Sequence, residues 1–210
     1  MIYKLKVNIF LFVVGGFIFS AGCGWAQNGS GAESDAMVFE KRFDLRIKEN
    51  KISSKEVDRL AAGMDRHSIL DYEYDAVGFT LQFRNKGSIE LTDLNVEYRF
   101  YYEVDQRWSQ VQQAGVMQNA KNESRIESKK GSLKVESLGP GDRHEEEVGP
   151  FMLENYRIQQ GYYMRNAPEE IESSAMGLWV RVSYKTSDGQ TIIRDFCDPK
   201  KLSEDDEVSW

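Results

Sequence analysis

Residues 94–105 have the sequence LNVEYRFYYEVD, in which apolar and polar side chains alternate. The apolar set comprises Leu94, Val96, Tyr98, Phe100, Tyr102 and Val104. The intervening set comprises Asn95, Glu97, Arg99, Tyr101, Glu103 and Asp105. A period of two places successive side chains on opposite faces of a strand. The stretch therefore predicts a half-buried antiparallel strand, with one face on a core and the other in solvent.

Further stretches on both sides of this strand show strand-like patterns. They lie at residues 38–47, 72–84, 133–138, 143–153, 178–185 and 191–197. Turn-forming residues separate several of them, namely Asn85-Lys86-Gly87, Pro140-Gly141 and Ser187-Asp188-Gly189. Such sequences supply the backbone conformations that tight turns require. About seven strands are thus predicted, with a long polar surface excursion over residues 106–130.

Two short helices are also expected. Ser53-Ser54-Lys55-Glu56 forms a capping box before apolar residues at helical spacing, which predicts a helix near residues 54–65. A second helix is predicted to start at Asn166-Ala167-Pro168-Glu169-Glu170, and Gly177 can end it. No strand–helix–strand alternation is present. The predicted fold class is all-β, an antiparallel immunoglobulin-like β-sandwich of about seven strands with one or two short helices.

Two stretches carry a resemblance to a known group of modules. They are FTLQFRNKGSIELTDLNVEYRFYY, from Phe79 to Tyr102, and ESLGPGDRHEEEV, from Glu136 to Val148. A strand ending in Asn and a turn Gly, and a later Leu-x-Pro-Gly turn, resemble bacterial extracellular immunoglobulin-like modules of the CARDB and FxLYD kind. This resemblance covers residues 79–148. It implies a spacer, adhesion or assembly role, and it carries over no catalytic residues.

The N-terminal residues predict export. Lys4 and Lys6 precede an apolar run, as in a signal peptide. Three outcomes stay open. Gly24-Trp25-Ala26 suits cleavage after residue 26, Ser20-Ala21-Gly22-Cys23 resembles a lipoprotein box with Cys23 as the lipidated residue, and residues 9–26 could remain as an uncleaved anchor. The expected location is periplasmic, outer-membrane-attached or extracellular.

The remaining sequence divides into three parts. We expect a flexible linker at residues 27–36, a β-sandwich domain at 37–202 and an acidic tail at 203–210. The whole chain has 27 basic and 34 acidic residues, and its basic residues are scattered. Because binding to a phosphate backbone needs concentrated positive charge, this composition disfavours a nucleic-acid partner. With Cys23 in the signal region, Cys197 has no expected disulfide partner and is predicted to be a half-buried apolar residue.

The chain carries few signals for catalysis. It has two histidines, His67 and His144, and neither lies in a HExxH or Cys/His zinc pattern. No nucleophile elbow or phosphate-binding glycine loop is present either. No cofactor or metal is therefore expected, and the C-terminal acids are interpreted as a solvated tail. Paired carboxylates among Glu97, Glu103, Glu145 and Glu147 leave a glycosidase as an alternative.

Aromatic residues provide a further alternative. Tyr101, Trp108, Tyr162, Tyr163 and Trp179 fall on predicted polar faces or in loops. Exposed rings can stack on sugars, so Tyr101, Trp108 and Trp179 are candidate ligand-stacking residues. The competing interpretation is that the tail, a helix or a loop covers these rings.

The sequence leads to a functional hypothesis. We expect an exported, non-catalytic binding or assembly module of the bacterial cell envelope, whose partner is an envelope protein or a polysaccharide. Contact with a membrane is expected only through an N-terminal lipid or anchor. A carbohydrate-binding accessory protein is the alternative, and a carboxylate-based glycoside hydrolase is the third hypothesis.

Overall fold

The computed structural model describes residues 34–64, 66–108, 111–113, 116–118, 120–162, 164 and 167–210. The predicted signal peptide, Cys23 and the linker up to residue 33 lie outside the described residues. The described residues form one compact unit, which includes the segment predicted as an acidic tail. None of the helices in these described ranges has the length and apolar character needed to cross a bilayer.

Most of the described chain lies in strands. Two helices, α1 (Asp35–Lys41) and α2 (Ser54–Ala61), flank β1 (Phe43–Lys51). The other strands are β2 (Leu70–Asn85), β3 (Leu91–Trp108), β4 (Val111–Gln113), β5 (Val116–Gln118), β6 (Lys121–Leu138), β7 (Arg143–Ile158), β8 (Glu170–Lys185) and β9 (Thr191–Asp198). A 3₁₀ helix, Lys200–Glu204, follows β9.

The strands form two antiparallel layers. One layer has the order β1-β2-β7 and the other has the order β6-β3-β8-β9. The layers join at one end, where Tyr156 pairs with Ile171 and Arg157 pairs with Glu170. The small β4–β5 hairpin continues from the same end. These seven long strands confirm the predicted all-β, antiparallel sandwich of about seven strands.

The inner faces of both layers supply one core. Its fully buried large side chains include Phe79, Leu81, Phe83, Leu94, Val96, Phe100 and Leu178. Phe100 of β3 stacks on Phe151 of β7 with 4.6 Å between ring centroids, so the aromatic contact crosses from one layer to the other. Because Leu94, Val96, Phe100 and Val104 are all buried, the core face predicted for β3 is confirmed. Tyr101, on the face predicted to lie in solvent, is buried as well.

Helix α2 confirms one of the two predicted helices. The Ser53 side chain accepts a hydrogen bond from the Glu56 amide, as a capping box requires, although the helix ends at Ala61. The helix predicted from residue 166 is wrong, because β8 begins at Glu170 and forms ladder pairs with Arg107 and Arg157. Gly177 interrupts no helix; it lies at an irregularity in β8, where its φ is +148°.

Three predicted boundaries also differ. Residues 35–41 form α1, whereas the sequence predicted the end of a linker and the start of a strand. The Ser34 side chain caps this helix, and the helix buries its own residues Val38 and Phe39. The predicted excursion at 106–130 is much shorter. Strand β3 continues as far as Trp108, and β6 begins at Lys121. The polar residues between 106 and 130 that belong to these strands lie in one long two-stranded ladder.

Candidate binding face

Four side chains converge on the outer face of the four-stranded sheet. Arg99 of β3 lies opposite Trp179 of β8 in the ladder. Tyr101 follows Arg99 on the same face, and Arg181 follows Trp179. Because the side chains of a strand alternate, the intervening Phe100 and Val180 are buried in the core. The main core thus fixes the direction of this outer cluster.

A segment at the end of the sequence covers these four residues. We call residues 205–210 the strap. The Trp210 ring lies 4.7 Å from Cζ of Arg99 and 4.4 Å from Cζ of Arg181, measured to the ring centroid. Its centroid is 5.9 Å from that of Trp179, and the two ring planes are tilted by 57°. Two guanidinium groups and one indole therefore hold a single aromatic side chain.

The backbone of the strap is bound as well. The Ser209 carbonyl oxygen accepts a hydrogen bond of 2.5 Å from the Tyr101 hydroxyl. The same oxygen accepts a second hydrogen bond, of 3.1 Å, from Arg99 Nη1. Polar contacts to the main chain are thus combined with stacking on the neighbouring side chain.

Burial beneath the strap produces a second, smaller apolar cluster. Tyr101 is 4% exposed, and Leu202 and Val208 are also buried. Ile126, Met176, Trp179 and Cys197 pack against them and are partly buried. This cluster lies on the opposite side of the sheet from the main core, so the sheet has apolar packing on both faces at this point.

An ion pair fixes the orientation of one of the two guanidinium groups. Arg181 donates from Nε and Nη2 to the two carboxylate oxygens of Asp195, at 2.8 Å and 2.9 Å. The hydrogen bond to Asp195 raises the pKa of Arg181 above its ordinary value. A bidentate pair holds the guanidinium plane in a defined direction, which leaves its flat face available to the Trp210 ring.

The structure brings together two of the three predicted stacking residues. Tyr101 and Trp179 lie in the cluster under the strap, so a sugar would reach Tyr101 only if the strap moved away. Trp108 lies further along β3, about 23 Å from Tyr101 at the usual rise of a strand. Trp108 is half-buried, and among the described residues its indole N–H has no acceptor. Tyr162 is 59% exposed, whereas Tyr163 is outside the described residues.

Arg99, Arg181 and Trp210 also belong to this cluster, although none of them was predicted as a site residue. Val208 and Trp210 alternate with polar residues in the segment predicted as an acidic tail, which was also one of the elements expected to cover the exposed rings. That short alternation was the available signal, since large apolar residues in a solvated tail need a surface to cover them.

A polar groove lies where the two layers join. It has a volume of about 590 Å³ and is lined by Asp71, Glu73, Asp105, Asn155, Tyr156 and Glu172, among others. At its base Glu170 is 7% exposed, and its carboxylate accepts from Arg107 Nη1 at 2.7 Å and from Arg157 Nε at 2.8 Å. Glu170 therefore serves as the anion that links three strands, β3, β7 and β8.

The described residues contain no group of three or more His, Cys, Asp or Glu side chains arranged to hold a metal ion. Cys197 is a free cysteine, and burial raises the pKa of its thiol. A raised pKa keeps the sulfur protonated at neutral pH, which makes it a weak nucleophile. Cys197 thus has the half-buried environment predicted for it.

No protein-family model matches the chain, and no curated protein is similar to it in sequence. Solved structures with some similarity include a Bordetella pertussis protein described as ApaA, with 12% identity and a TM-score of 0.29 over 75% of this chain and 94% of that one. Another is the sporulation control protein Spo0M of Bacillus subtilis, with 10% identity and a TM-score of 0.18 over 62% of this chain and 49% of that one. The chain thus spans about half the length of Spo0M.

Proposed function

We propose that the protein is an exported, non-catalytic binding or assembly module of the bacterial cell envelope. The observation that carries the proposal is the outer sheet face that holds the strap, an extended peptide segment. Export is supported by the basic and apolar pattern of residues 1–26. The binding surface is the set formed by Arg99, Tyr101, Trp179 and Arg181.

The contacts to the strap are of two kinds: some bind the backbone of any peptide, and others require particular side chains. Tyr101 and Arg99 donate to the carbonyl oxygen of Ser209, and any residue at that position supplies the same acceptor. The stacking on Trp210 and the burial of Val208 depend on side-chain identity. Main-chain bonds together with side-chain pockets are the usual basis of peptide recognition. The face therefore suits a peptide with an aliphatic residue two positions before an aromatic one.

Peptide binding can be tested by removing the strap. In a variant that ends at Glu204, the face is uncovered, and a fluorescein-labelled peptide of residues 203–210 is added in trans. We expect fluorescence anisotropy to report saturable binding to the shortened protein and much weaker binding to the full chain. A peptide with Trp210→Ala is the matched control and should bind at least roughly tenfold less tightly, since it loses the stacked ring. Equal binding of both peptides, or none at about 1 mM peptide, would refute the proposed surface.

Export has its own experiment. Residues 1–30 are fused to an enzyme that is active only outside the cytoplasm, and the mature N-terminus of the native protein is determined by mass spectrometry. Activity of the fusion supports export, and the mass distinguishes cleavage after Ala26, lipidation of Cys23 and an uncleaved anchor. An inactive fusion together with an intact Met1 on a protein in the cytoplasmic fraction would contradict export.

Carbohydrate binding is the second candidate function. The polar groove favours it, because the Tyr156 ring lies there beside Asp71 and Asn155, and hydrogen-bonding groups next to an aromatic ring suit a sugar. A glycan array with Tyr156→Ala, Trp108→Ala and Trp179→Ala distinguishes the groove from the predicted stacking residues. Failure to retain any polysaccharide would remove this candidate. Turnover of a glycoside would instead support the third hypothesis, a hydrolase.

A further inference from the structure

Strand β6 is an edge strand of unusual length. It runs from Lys121 to Leu138 and pairs with β3 over its whole length. In the part of the chain that the structure describes, no strand pairs with its other edge. The usual strand has about five or six residues, and an exposed edge of this length offers a long row of unpaired backbone groups.

Charges of opposite sign lie at equal distances on the two sides of one residue of β6. Residues 123–129 have the sequence ESRIESK, with Ile126 at the centre. If a second strand of the same sequence lies antiparallel to this one with Ile126 opposite Ile126, each residue faces the one at the same distance on the other side. Arg125 then faces Glu127 of the second copy, and Glu123 faces Lys129 of the second copy. Opposite charges directly across an antiparallel pair stabilise it.

Neighbouring registers lack either two opposed charge pairs of this kind or the same length of overlap. Centring the pair on Ser128 keeps Glu127 opposite Lys129, but it places Arg125 opposite Gly131 and Glu123 opposite Leu133, so two of the four charges lose their partners. Centring the pair on Arg125 places Glu123 opposite Glu127, and centring it on Glu127 places Arg125 opposite Lys129. Like charges directly opposite each other destabilise a ladder. Centring on Ser124 keeps opposite charges together but overlaps β6 only from Lys121 to Glu127. The register centred on Ile126 overlaps from Lys121 to Gly131, which provides about ten backbone hydrogen bonds.

Charged residues on an edge strand usually prevent pairing. The charges of β6 are arranged differently, because both signs occur on the same face. Arg125 and Glu127 already form an ion pair of 2.7 Å within the strand. Lys129 Nζ donates to the carbonyl oxygen of Met152, and an ammonium has three donors, so further donors remain for Glu123 of a second copy.

Ile126, at the centre of this charge pattern, has apolar neighbours. Ile126 packs against the buried cluster of Tyr101, Leu202 and Val208 and is itself partly buried. In the register centred on Ile126, the isoleucines of two copies are directly opposite and extend this cluster across the new edge. We infer that β6 is a self-association edge, at which two copies of the chain pair antiparallel about a two-fold axis through Ile126.

The register is tested with single cysteines. The protein is residues 27–210, which contain the whole sandwich, in a Cys197→Ser background. Directly opposite residues in a ladder have Cα atoms about 4.5–5.5 Å apart, within disulfide range. Ile126→Cys should therefore form a covalent dimer under mild oxidation. Ser128→Cys alone should not, but a mixture of Ser128→Cys and Ser124→Cys should form a heterodimer. Absence of the Ile126→Cys dimer, or efficient self-linking of Ser128→Cys, would refute this register.

Charge exchange provides an independent measurement. Sedimentation equilibrium over about 1–200 µM measures the association constant of the Cys197→Ser protein. Glu123→Lys should lower that constant at least roughly tenfold, because it places two lysines opposite each other. Adding Lys129→Glu should restore it. Glu136→Lys, on the same strand outside the overlap, is the matched control and should leave the constant unchanged. A monomer at every concentration, or no recovery in an exchange variant that keeps its melting temperature, would overturn the inference.

Failure of this test leaves the proposed function intact. The strap face is on the outer surface of the sheet, whereas the predicted pairing uses the edge of β6. A shortened protein that binds the strap peptide but stays monomeric would therefore support the peptide-binding face and refute self-association. The opposite result would support the edge and refute the face.

Discussion

The ring of Tyr98 lies directly over the α-carbon of Gly131, its partner in the ladder between β3 and β6. A β-carbon added at Gly131 would overlap the phenol ring, which packs against the main core. Glycine in the interior of a strand is normally unfavourable, and an aromatic ring across the ladder compensates by covering the exposed backbone.

Gly131→Ala should therefore destabilise the protein although alanine suits a strand better. Forcing an extra carbon into an occupied space costs about 1–3 kcal/mol. Urea unfolding followed by circular dichroism measures the change. Gly63→Ala is the control, since nothing lies within 4 Å of a β-carbon at Gly63, and it should be close to neutral. Equal stabilities of the two variants would disprove the role assigned to the ring.

The stability of the folded protein should depend on pH through Asp35, the first residue of α1. Hydrogen bonds lower the pKa of Asp35 below its ordinary value of 3.8, and the largest contribution is from the Ser187 amide, which donates at 2.6 Å. A lowered pKa in the folded state means that the stabilisation is present above 3.8 and is lost as the pH falls through the folded-state pKa. Asp35→Asn should thus lower the melting temperature at pH 7 and make no difference at the acidic end. A difference that is independent of pH would contradict this assignment.

The buried carboxylate of Glu170 permits a comparison between removing an anion and removing its partners. Glu170→Ala leaves Arg107 and Arg157, whose side chains are 61% and 66% exposed and can be hydrated. We expect a loss of about 1–2 kcal/mol. The double variant Arg107→Ala/Arg157→Ala leaves a buried charge without its partners and should cost more, about 3 kcal/mol. Urea unfolding at pH 7 ranks the two variants, and the reverse order would exclude the proposed ion-pair role.

Trp210→Ala should uncover the second apolar cluster without unfolding the sandwich. The strap loses its stacking on Arg99 and Arg181, which is worth about 1–2 kcal/mol for partly desolvated contacts. Trp179 should then become more accessible to acrylamide, as measured by quenching of its fluorescence in a Trp108→Phe background. Both proteins are residues 27–210. The reference carries Trp108→Phe and Trp210→Phe, which keep an aromatic ring at position 210 and leave Trp179 as the one tryptophan. Unchanged quenching and an unchanged melting temperature would show that the strap does not cover this face.

The sequence predicted the strands better than it predicted their ends. Alternation is a local signal, so the faces of β3 were correct from Leu94 to Val104. The start of β8 was predicted as a helix because Pro168 and the acids that follow it favour a helix start. Glu170 is in a strand because Arg107 and Arg157, which are distant in sequence, are its ladder partners and also form its ion pairs.

The candidate site was predicted in part for a related reason. Tyr101 and Trp179 were predicted because large rings on a polar face are unusual. Such rings are either exposed to a ligand or covered by another segment of the chain. Which segment covers them depends on the path of residues 199–210 after β9. The alternation of Val208 and Trp210 indicates contact with a surface but not which surface, so the contacts of Arg99, Arg181 and Trp210 required the three-dimensional structure.

The contact between Asp35 and Ser187 also determines at which end of the sandwich the described chain begins. It places the start of the described chain at the end of the sandwich that carries the β8–β9 turn. The β4–β5 hairpin and the polar groove are at the other end, about 60 Å away along β3 at the usual rise of a strand. Two copies paired antiparallel through β6 would therefore have their Asp35 ends at opposite extremes of the dimer and their hairpin ends near its centre.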